Sequence, residues 1–368
     1  MLDLGVRLQL MIGPTVPLPA PYPVIEALIS VEVKNRDQER DAFQMTFSLG
    51  KDSPLDYSLL LSGLFDPPSR VIISTIINAL PQPLIDGIIT SHQIVPSNRP
   101  GESQLIVTGE DITLKLDLEE KSETYPNQPD SAIVTRLLLG YGLIPVVTFT
   151  PDIPIELQRI TSQQETDLAF IQRLARRNGF VFYIEPGFTP FTTRAYWGLD
   201  NRLGQPQSAL TMNMGPNTNV DQPIHFSFNA LGPAAPQITI VEPVTKLPIT
   251  IPLPSGLQPP LASRPATPLR KTLPRNTANL NPAQAALRGV SASSQSSDAV
   301  TATGEVDAVR YGRALRSRQL VGVRGVGFSY DGNYYVKEVT HQIQRGQYQQ
   351  RFTLTREGRG ALTPAVIP

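Results

Sequence analysis

The phrase IITSHQI, Ile88 to Ile94, returns as EVTHQI, Glu338 to Ile343, about 250 residues later. Each copy is followed by a polar turn and a second apolar run, LIVTGED in the first case and FTLTREG in the second. Two of the three histidines of the chain sit in these phrases. A hairpin written twice at this distance predicts two related β domains, each closing with the same unit. The matched positions are His92, Gln93 and Ile94 in the first copy, and His341, Gln342 and Ile343 in the second.

The residues around each copy carry strand patterns. VIEALISVEVKN has strand character, and Phe43, Met45 and Phe47 fall on one face at period two. RVIISTIINAL and LIDGIITSHQI are β-branched runs, and Ile112, Leu114, Leu116 and Leu118 alternate with polar residues. Pro67-Pro68 and PSNRPGE supply the turns. Near the C-terminus, Tyr335, Val339 and Ile343 are expected on one face of a strand. Arg345-Gly346 turns the chain, and Tyr348, Phe352 and Leu354 share a face of the return strand. GEVDAVRYGRALRSRQL, just before, reads as a short helix with Val306, Val309, Ala314 and Leu315 apolar.

Between the two β regions the pattern changes. PDSAIVTRLLLGYGL predicts a helix capped by Asp130 or Ser131 and ending near Gly140 to Gly142. In ITSQQETDLAFIQRLARRNGFVFYIE, Ser162 and Glu165 fit a capping box ahead of a second helix. Leu168, Ile171, Leu174 and Ala175 form its apolar stripe, Gly179 ends it, and Phe180 to Ile184 reads as a strand. The region is therefore an α+β insert. Thirty-six prolines, roughly twice the usual share of about 5%, concentrate between Leu231 and Leu280. That stretch cannot carry a helix and reads either as a linker or as an ordered arm. Ile238, Ile240, Val241, Val244, Leu247, Ile249, Ile251 and Leu253 favour strand in its first half.

Zero net charge and 17% charged residues argue against a nucleic-acid binder. Without cysteine there is no disulfide framework, thiolate nucleophile or cysteine–zinc site. Three scattered histidines do not make a metal site. The start, MLDLGVRLQLMIGP, lacks the basic region and cleavage site of a signal peptide, and no apolar stretch free of proline and charge spans a membrane. No nucleophile elbow, zinc-binding HExxH or phosphate loop is present. GVRGVG at 322–327 sits in a β context and reads as a strand bend. Glu165 and Asp167 read as helix-start acids rather than a catalytic pair, and Arg173, Arg176 and Arg177 as the solvated end of that helix. His225 has no carboxylate near it in sequence, and His92 and His341 read as ladder or interface residues. No catalytic residue, cofactor or metal ligand is expected.

The central stretch resembles the signature Q-x-x-E-S/T-D-x-x-F-x-x-R-L-x-x-x-x-G-x-x-x-Y of the VgrG and phage late-control-D families. It maps onto Gln163 or Gln164, Glu165, Thr166, Asp167, Phe170, Arg173, Leu174, Gly179 and Tyr183. Phe170, Leu174, Phe182 and Tyr183 are then expected in the core of the insert. The closing hairpin YYVKEVTHQIQRGQYQQRFTLTREG and the opening strands are similar to the family's as well.

The resemblance implies a mainly β protein with an α+β insert and two related β-barrel domains per chain, forming a pseudo-sixfold ring as a trimer. Residues 1–125 would be the first barrel domain and 126–215 the insert. Residues 216–253 would begin the second barrel, 254–303 form a proline- and serine-rich linker or arm, and 304–368 complete the barrel with a tail. It further implies a non-enzymatic baseplate hub of a phage tail or contractile injection system, assembled in the bacterial cytoplasm. Its partners would be two further copies, a separate spike protein, the inner tube or its initiator, and baseplate wedge proteins, without nucleic acid or membrane insertion. VgrG carries an OB-fold and a β-helical spike after the hub, whereas this sequence stops at ALTPAVIP, so the spike is expected on another chain. A hub-associated cell-wall hydrolase and a carbohydrate-binding β-sandwich adhesin are the alternatives. For the latter, the single Trp197 is a poor aromatic platform.

Overall fold

The computed structural model describes residues 5–50, 57–99, 102–154, 160–187, 189, 192–200, 202, 204–241, 248–251, 259–272, 289 and 298–362. The first β array contains β1 (Val6–Gly13), β2 (Leu18–Pro19), α1 (Tyr22–Ala27), β3 (Leu28–Arg36), β4 (Ala42–Leu49), α2 (Ser58–Leu61), β5 (Arg70–Ile77), β6 (Leu80–Val95) and β7 (Ser103–Asp111). Side chains alternate across each strand, so Val31 and Val33, Phe43, Met45 and Phe47, and Leu105 and Val107 line one buried face. VIEALISVEVKN is not strand throughout, because its first four residues lie in α1. Pro23 sits in the opening turn of that helix, where a missing N–H costs nothing.

The insert follows. A 3-10 helix, Ile112–Asp117, occupies the place where alternation predicts a strand. Asp111 ends β7 by accepting the Thr113 amide, at 2.9 Å. Ile112 and Leu116, four apart, then face the insert core, while Leu118 is exposed. Next come β8 (Glu120–Tyr125), α3 (Asp130–Gly140), β9 (Ile144–Val147), β10 (Thr161–Thr166), α4 (Asp167–Asn178), β11 (Val181–Glu185) and β12 (Arg194–Gly198). Pro129, not Asp130 or Ser131, occupies the N-cap position of α3. Nor do Ser162 and Glu165 form a capping box. They lie in β10, whose residues Thr161 and Gln163 are buried against β8. Thr166 is the actual cap of α4, its hydroxyl accepting the Ala169 amide at 3.2 Å. The apolar face of α4 buries Leu168, Phe170, Ile171, Leu174 and Ala175.

The remaining elements are β13 (Gln207–Thr211), β14 (His225–Phe228), β15 (Ala234–Pro236), β16 (Ile238–Val241), β17 (Pro248–Ile251), β18 (Ala262–Pro265), β19 (Arg270–Thr272), β20 (Val300–Asp307), α5 (Ala308–Tyr311), β21 (Leu320–Arg324), β22 (Gly332–Gln344), β23 (Gln347–Arg356) and β24 (Gly358–Ala361). The proline-rich stretch supplies short strands here. β16 pairs with β17, β19 runs beside β15, and β18 pairs with β24 near the end of the chain. Val244, Leu247 and Leu253 lie outside the described residues. Of GEVDAVRYGRALRSRQL, GEVD finishes β20 and only AVRY, the four residues of α5, is helical before Gly312 turns left-handed.

One path of hydrogen-bonded strands runs β14-β20-β23-β22-β3-β4-β7-β6-β5-β1-β2, with β21 on β22 and β13 on β21. Within it the run β3-β4-β7-β6-β5 has the same order as β14-β20-β23-β22-β21. In each run the short helix falls between the second and third strands in sequence, α2 in one and α5 in the other. The outer strands differ, since β1 is antiparallel to β5 and β13 is parallel to β21. The two runs are joined by β22 and β3, which pair antiparallel over seven residues, from Glu338 opposite Arg36 to Gln344 opposite Ser30.

Both strands that carry the repeated phrase contain a bulge, at Thr90 in β6 and at Lys337 in β22. The second bulge corrects the expected face of β22. Tyr335 lies before it and so points away from Val339 and Ile343, while Val336 joins Val339 in the core. Register carried from the two histidines also makes Phe43 opposite Gly109 equivalent to Gly304 opposite Phe352. One pair of positions thus holds one ring and one glycine in each run, with the strands exchanged. A Cβ on Gly109 would stand 2.4 Å from Phe43 Cζ, and one on Gly304 2.7 Å from Phe352 Cζ. Gly109→Ala is expected to lower unfolding stability by about 1–3 kcal/mol through overpacking. Adding Phe43→Leu should return part of that loss, as read from urea midpoints.

Candidate functional site

Three hydrophobic cores meet where Arg318 is buried. The residue has a left-handed backbone, φ 63°, which aims its side chain between the three units. Its Nη2 donates to Asp41 Oδ1 at 2.9 Å and its Nη1 to Asp41 Oδ2 at 3.2 Å, on the turn between β3 and β4. Nη1 also reaches the Ile184 carbonyl of β11 at 3.4 Å, and Nε the Asp37 carbonyl at 3.3 Å. The guanidinium lies over the Tyr183 ring, 4.9 Å from its centre, and Tyr183 stacks on Tyr196. One side chain from the second β run therefore holds both the first run and the insert.

Asp41 is fully partnered. Asn35 Nδ2 donates to it at 3.0 Å, and the Arg36 amide at 2.9 Å. Its own amide donates to Asp111 Oδ2 at 2.8 Å. Burial, together with the nearby Asp41 carboxylate, pushes Asp111 up to about 6. Asp41 and Arg318 line a cleft of about 420 Å³ that His341 also lines, and the Nδ1 of His341 is 2.9 Å from the Tyr348 hydroxyl. Burial, with Arg316 adding positive charge, lowers His341 to about 3, so it is neutral in the folded chain.

The two copies of the hairpin have different surroundings. His341 is 2% exposed and Ile343 3%, with Ile343 in the first core beside Tyr348 and β3 paired along the outer edge of β22. His92, Gln93 and Ile94 are exposed, Ile94 by 39%. His92 Nδ1 approaches the Phe65 carbonyl at 3.3 Å. Gln93 and Gln342 occupy matching register positions, opposite Ile106 and Gln349. Gln342 also donates to Glu32 across the junction at 3.2 Å.

The residues of the central motif lie in or beside the insert. Arg173 donates to Glu165 at 2.6 Å and to the Ser162 carbonyl at 2.6 Å, stitching α4 to β10. Asp167 is buried, which alone would raise it. Hydrogen bonds from Gln163, Lys121 and Tyr141 outweigh burial and hold its carboxyl below the usual value. Those bonds measure 2.7, 2.6 and 2.6 Å. Phe170 and Leu174 lie in the insert core, and Gly179 ends α4 with φ 70°. Phe182 is partly buried against that core. Tyr183 belongs instead to the Arg318 junction. Arg177 is not simply solvated, since it binds Asp130 together with Asn178. Sequence reasoning gave no role to Arg318 and Asp41, which are 277 positions apart.

Trp197 is buried, donating to the Ile171 carbonyl at 3.2 Å, so it is no surface platform. Among the described residues, no group of three or more His, Asp or Glu could hold a metal, and no helix is long and apolar enough to cross a membrane. The arrangement is one of structural bolts and sheet edges.

Residues 18–193 match the sequence profile of the Alg8 N-terminal domain, a different family from the late-control-D proteins that the central motif resembles. No curated protein matches the chain in sequence. In structure, the chain is similar to a tail protein of Neisseria meningitidis MC58, with TM-score 0.65 and 14% identity, over 97% of this chain and 98% of that one. It is similar to the 43 kDa tail protein of prophage MuSo2 from Shewanella oneidensis, with TM-score 0.64 and 14% identity, over 96% and 98%. A third likeness is to the E. coli c3393 protein, a component of the type VI secretion system described as structurally similar to the T4 tail proteins gp27 and gp5. Its TM-score is 0.55 at 14% identity, over 93% of this chain and 77% of that one.

Two outcomes are expected at the junction. Arg318→Ala leaves Asp41 buried and uncompensated and should cost about 3–5 kcal/mol. Joint replacement, Arg318→Met with Asp41→Leu, should cost less, as measured by chemical unfolding. His341 has a folded value near 3 against 6.5 for the free side chain, so its contribution is complete above pH 6.5. That contribution is lost progressively as pH falls from 6.5 towards 3. His341→Gln should flatten this slope in a pH series of unfolding midpoints. The mainly β chain has the fold of phage tail proteins.

Proposed function

We propose that the chain is the structural baseplate hub of a phage tail or contractile injection system, without enzymatic activity, working as a homotrimer. The observation that carries the reading is the strand order written twice in one chain. Two related β domains per copy give three copies six similar units. That is what an object of threefold symmetry needs in order to seat a sixfold ring. The likeness to two tail proteins and to a type VI secretion component supports the same setting.

In this reading one face of the ring meets a separate trimeric spike and the other meets the inner tube or its initiator, with baseplate wedge proteins outside. Assembly takes place in the bacterial cytoplasm. The buried Arg318–Asp41 pair would keep the two domains of a copy at a fixed angle, so that six units close evenly. The elements of residues 207–361 other than the proline-rich strands would form the second domain, and β15 to β19 an ordered arm on its outside.

Electron microscopy of the purified chain, alone and with its cognate spike, provides the test. End-on views should show threefold rings with a central hole and six lobes of density. Deleting the gene in the producing bacterium should abolish assembled particles. Intact tubes with complete baseplates in its absence would overturn the reading.

A further inference from the structure

One half-buried cation beside the junction has no counter-charge. Among the described residues, every other arginine that is buried or half-buried bonds a carboxylate or, for Arg356, three backbone carbonyls. Arg316 is half-buried, and its guanidinium has no hydrogen-bond or ion-pair partner among the described residues. Burial pushes its pKa down, and Glu185 and Tyr348, which act on it only through space, do not make up the loss. A guanidinium removed from water without an anion is costly, and an unsatisfied group of this kind asks for a partner.

The backbone that carries Arg316 is held firmly. Gln207 of β13 accepts the Arg316 amide and donates to the Arg316 carbonyl, both at 2.9 Å. Gln350 of β23 accepts the Leu315 amide at 2.6 Å and donates to the Arg313 carbonyl at 3.1 Å. Two glutamine amides thus fix the segment as a wall, and the side chain at its centre is left without a bond. Such a backbone presents the cation ready-placed for a ligand.

The wall belongs to the cleft of about 420 Å³ where the three units meet, within the usual size of a small-ligand site, about 300–1,000 Å³. His341 lines it as well, and its neutral ring bonds the Tyr348 hydroxyl through Nδ1. With that hydroxyl donating, the ring proton sits on Nε2, which has no partner among the described residues. The Ser317 hydroxyl, in the same cleft, has none either. Pro83, Leu84 and Ile184 supply apolar wall. The charges decide what fits. Arg318 and Asp41 cancel, and Glu185 lies 4.0 Å from Arg194. Arg316 therefore leaves one net positive charge, which a singly charged anion balances and a doubly charged phosphate does not. The planar guanidinium fork matches a carboxylate.

We infer that this cleft binds a monocarboxylate on an apolar stem, its carboxylate held by Arg316 with His341 and Ser317 as neighbouring donors, and its stem against Pro83, Leu84 and Ile184. The terminal residue of a partner's chain and a free small acid share this chemistry. The inference stands apart from the hub reading and needs only the single chain.

The full-length chain would be titrated at low ionic strength with N-acetylleucylvaline, with the C-terminal amide of the same dipeptide, and with isovalerate. Calorimetry and the shift in unfolding temperature are the readouts. The acid of the dipeptide should bind and its amide should not. Arg316→Met should weaken binding roughly tenfold or more, as the loss of a charged hydrogen bond does. Without added acid, Arg316→Met should unfold at the wild-type temperature or above it, because it removes a cation that nothing balances. Glu185→Gln, which removes the neighbouring carboxylate, should tighten binding. Preference for the dipeptide over isovalerate would support a chain end as the natural ligand, and equal binding a free acid. Equal binding of acid and amide, unchanged binding by Arg316→Met, or no binding by wild type and Glu185→Gln alike would overturn the inference and leave the hub reading standing. So would a markedly lower unfolding temperature for Arg316→Met, since the guanidinium would then have its partner inside the protein.

Discussion

The architecture depends on one buried ion pair. Arg318 and Asp41 belong to different β runs and meet where the insert also arrives. A buried pair of this kind adds little net stability over apolar packing, because desolvation of both charges offsets their attraction. Its value lies in direction. A bidentate guanidinium–carboxylate contact tolerates only a narrow set of angles, and the Tyr183 ring beneath it limits that set further. The second tie, Arg70 to Asp86 with the Thr193 hydroxyl on the same carboxylate, fixes the insert to the first run in the same way.

The two β runs share strand order and a bulge in the strand of the repeated phrase, but few side chains. The exchange of ring and glycine between Phe43–Gly109 and Gly304–Phe352 shows how. The volume at that site is set by the closeness of two strands. Either strand can supply the ring, provided the other supplies a bare backbone. The histidines show the opposite case, where one residue type serves two settings. His341 is buried, bonded to Tyr348 beside β3, and held neutral, while His92 lies in the open.

Much of this was legible in the sequence. Period-two alternation located β4, and the repeated phrase with the apolar run after it located the hairpins from which the strand order can be compared. Where local reading failed, a polar side chain or a bulge had intervened. Ile112 to Leu118 alternates well enough for a strand, but the Asp111 carboxylate takes the Thr113 amide and starts a 3-10 turn. Ser162 and Glu165 have capping-box spacing, but β8 offers β10 a partner that extends the strand to Thr166. Tyr335 is displaced to the other face by one extra residue, Lys337, which no period reveals. The Arg318 junction was invisible because nothing local marks a contact over 277 positions.

The β3–β22 junction also has a history in time. β3 is complete within the first 36 residues, and its partner begins at Glu338. At about 5–20 residues per second of synthesis, β3 waits roughly 15–60 s on the ribosome with that side uncovered. Its outward residues then include Glu32, Lys34 and Arg36, which in the finished chain meet Gln342 and Glu338 across the junction. Charged side chains in a row of this kind discourage pairing with other nascent chains. The same side chains that align the two halves at the end of folding can thus guard the first half while it is still alone.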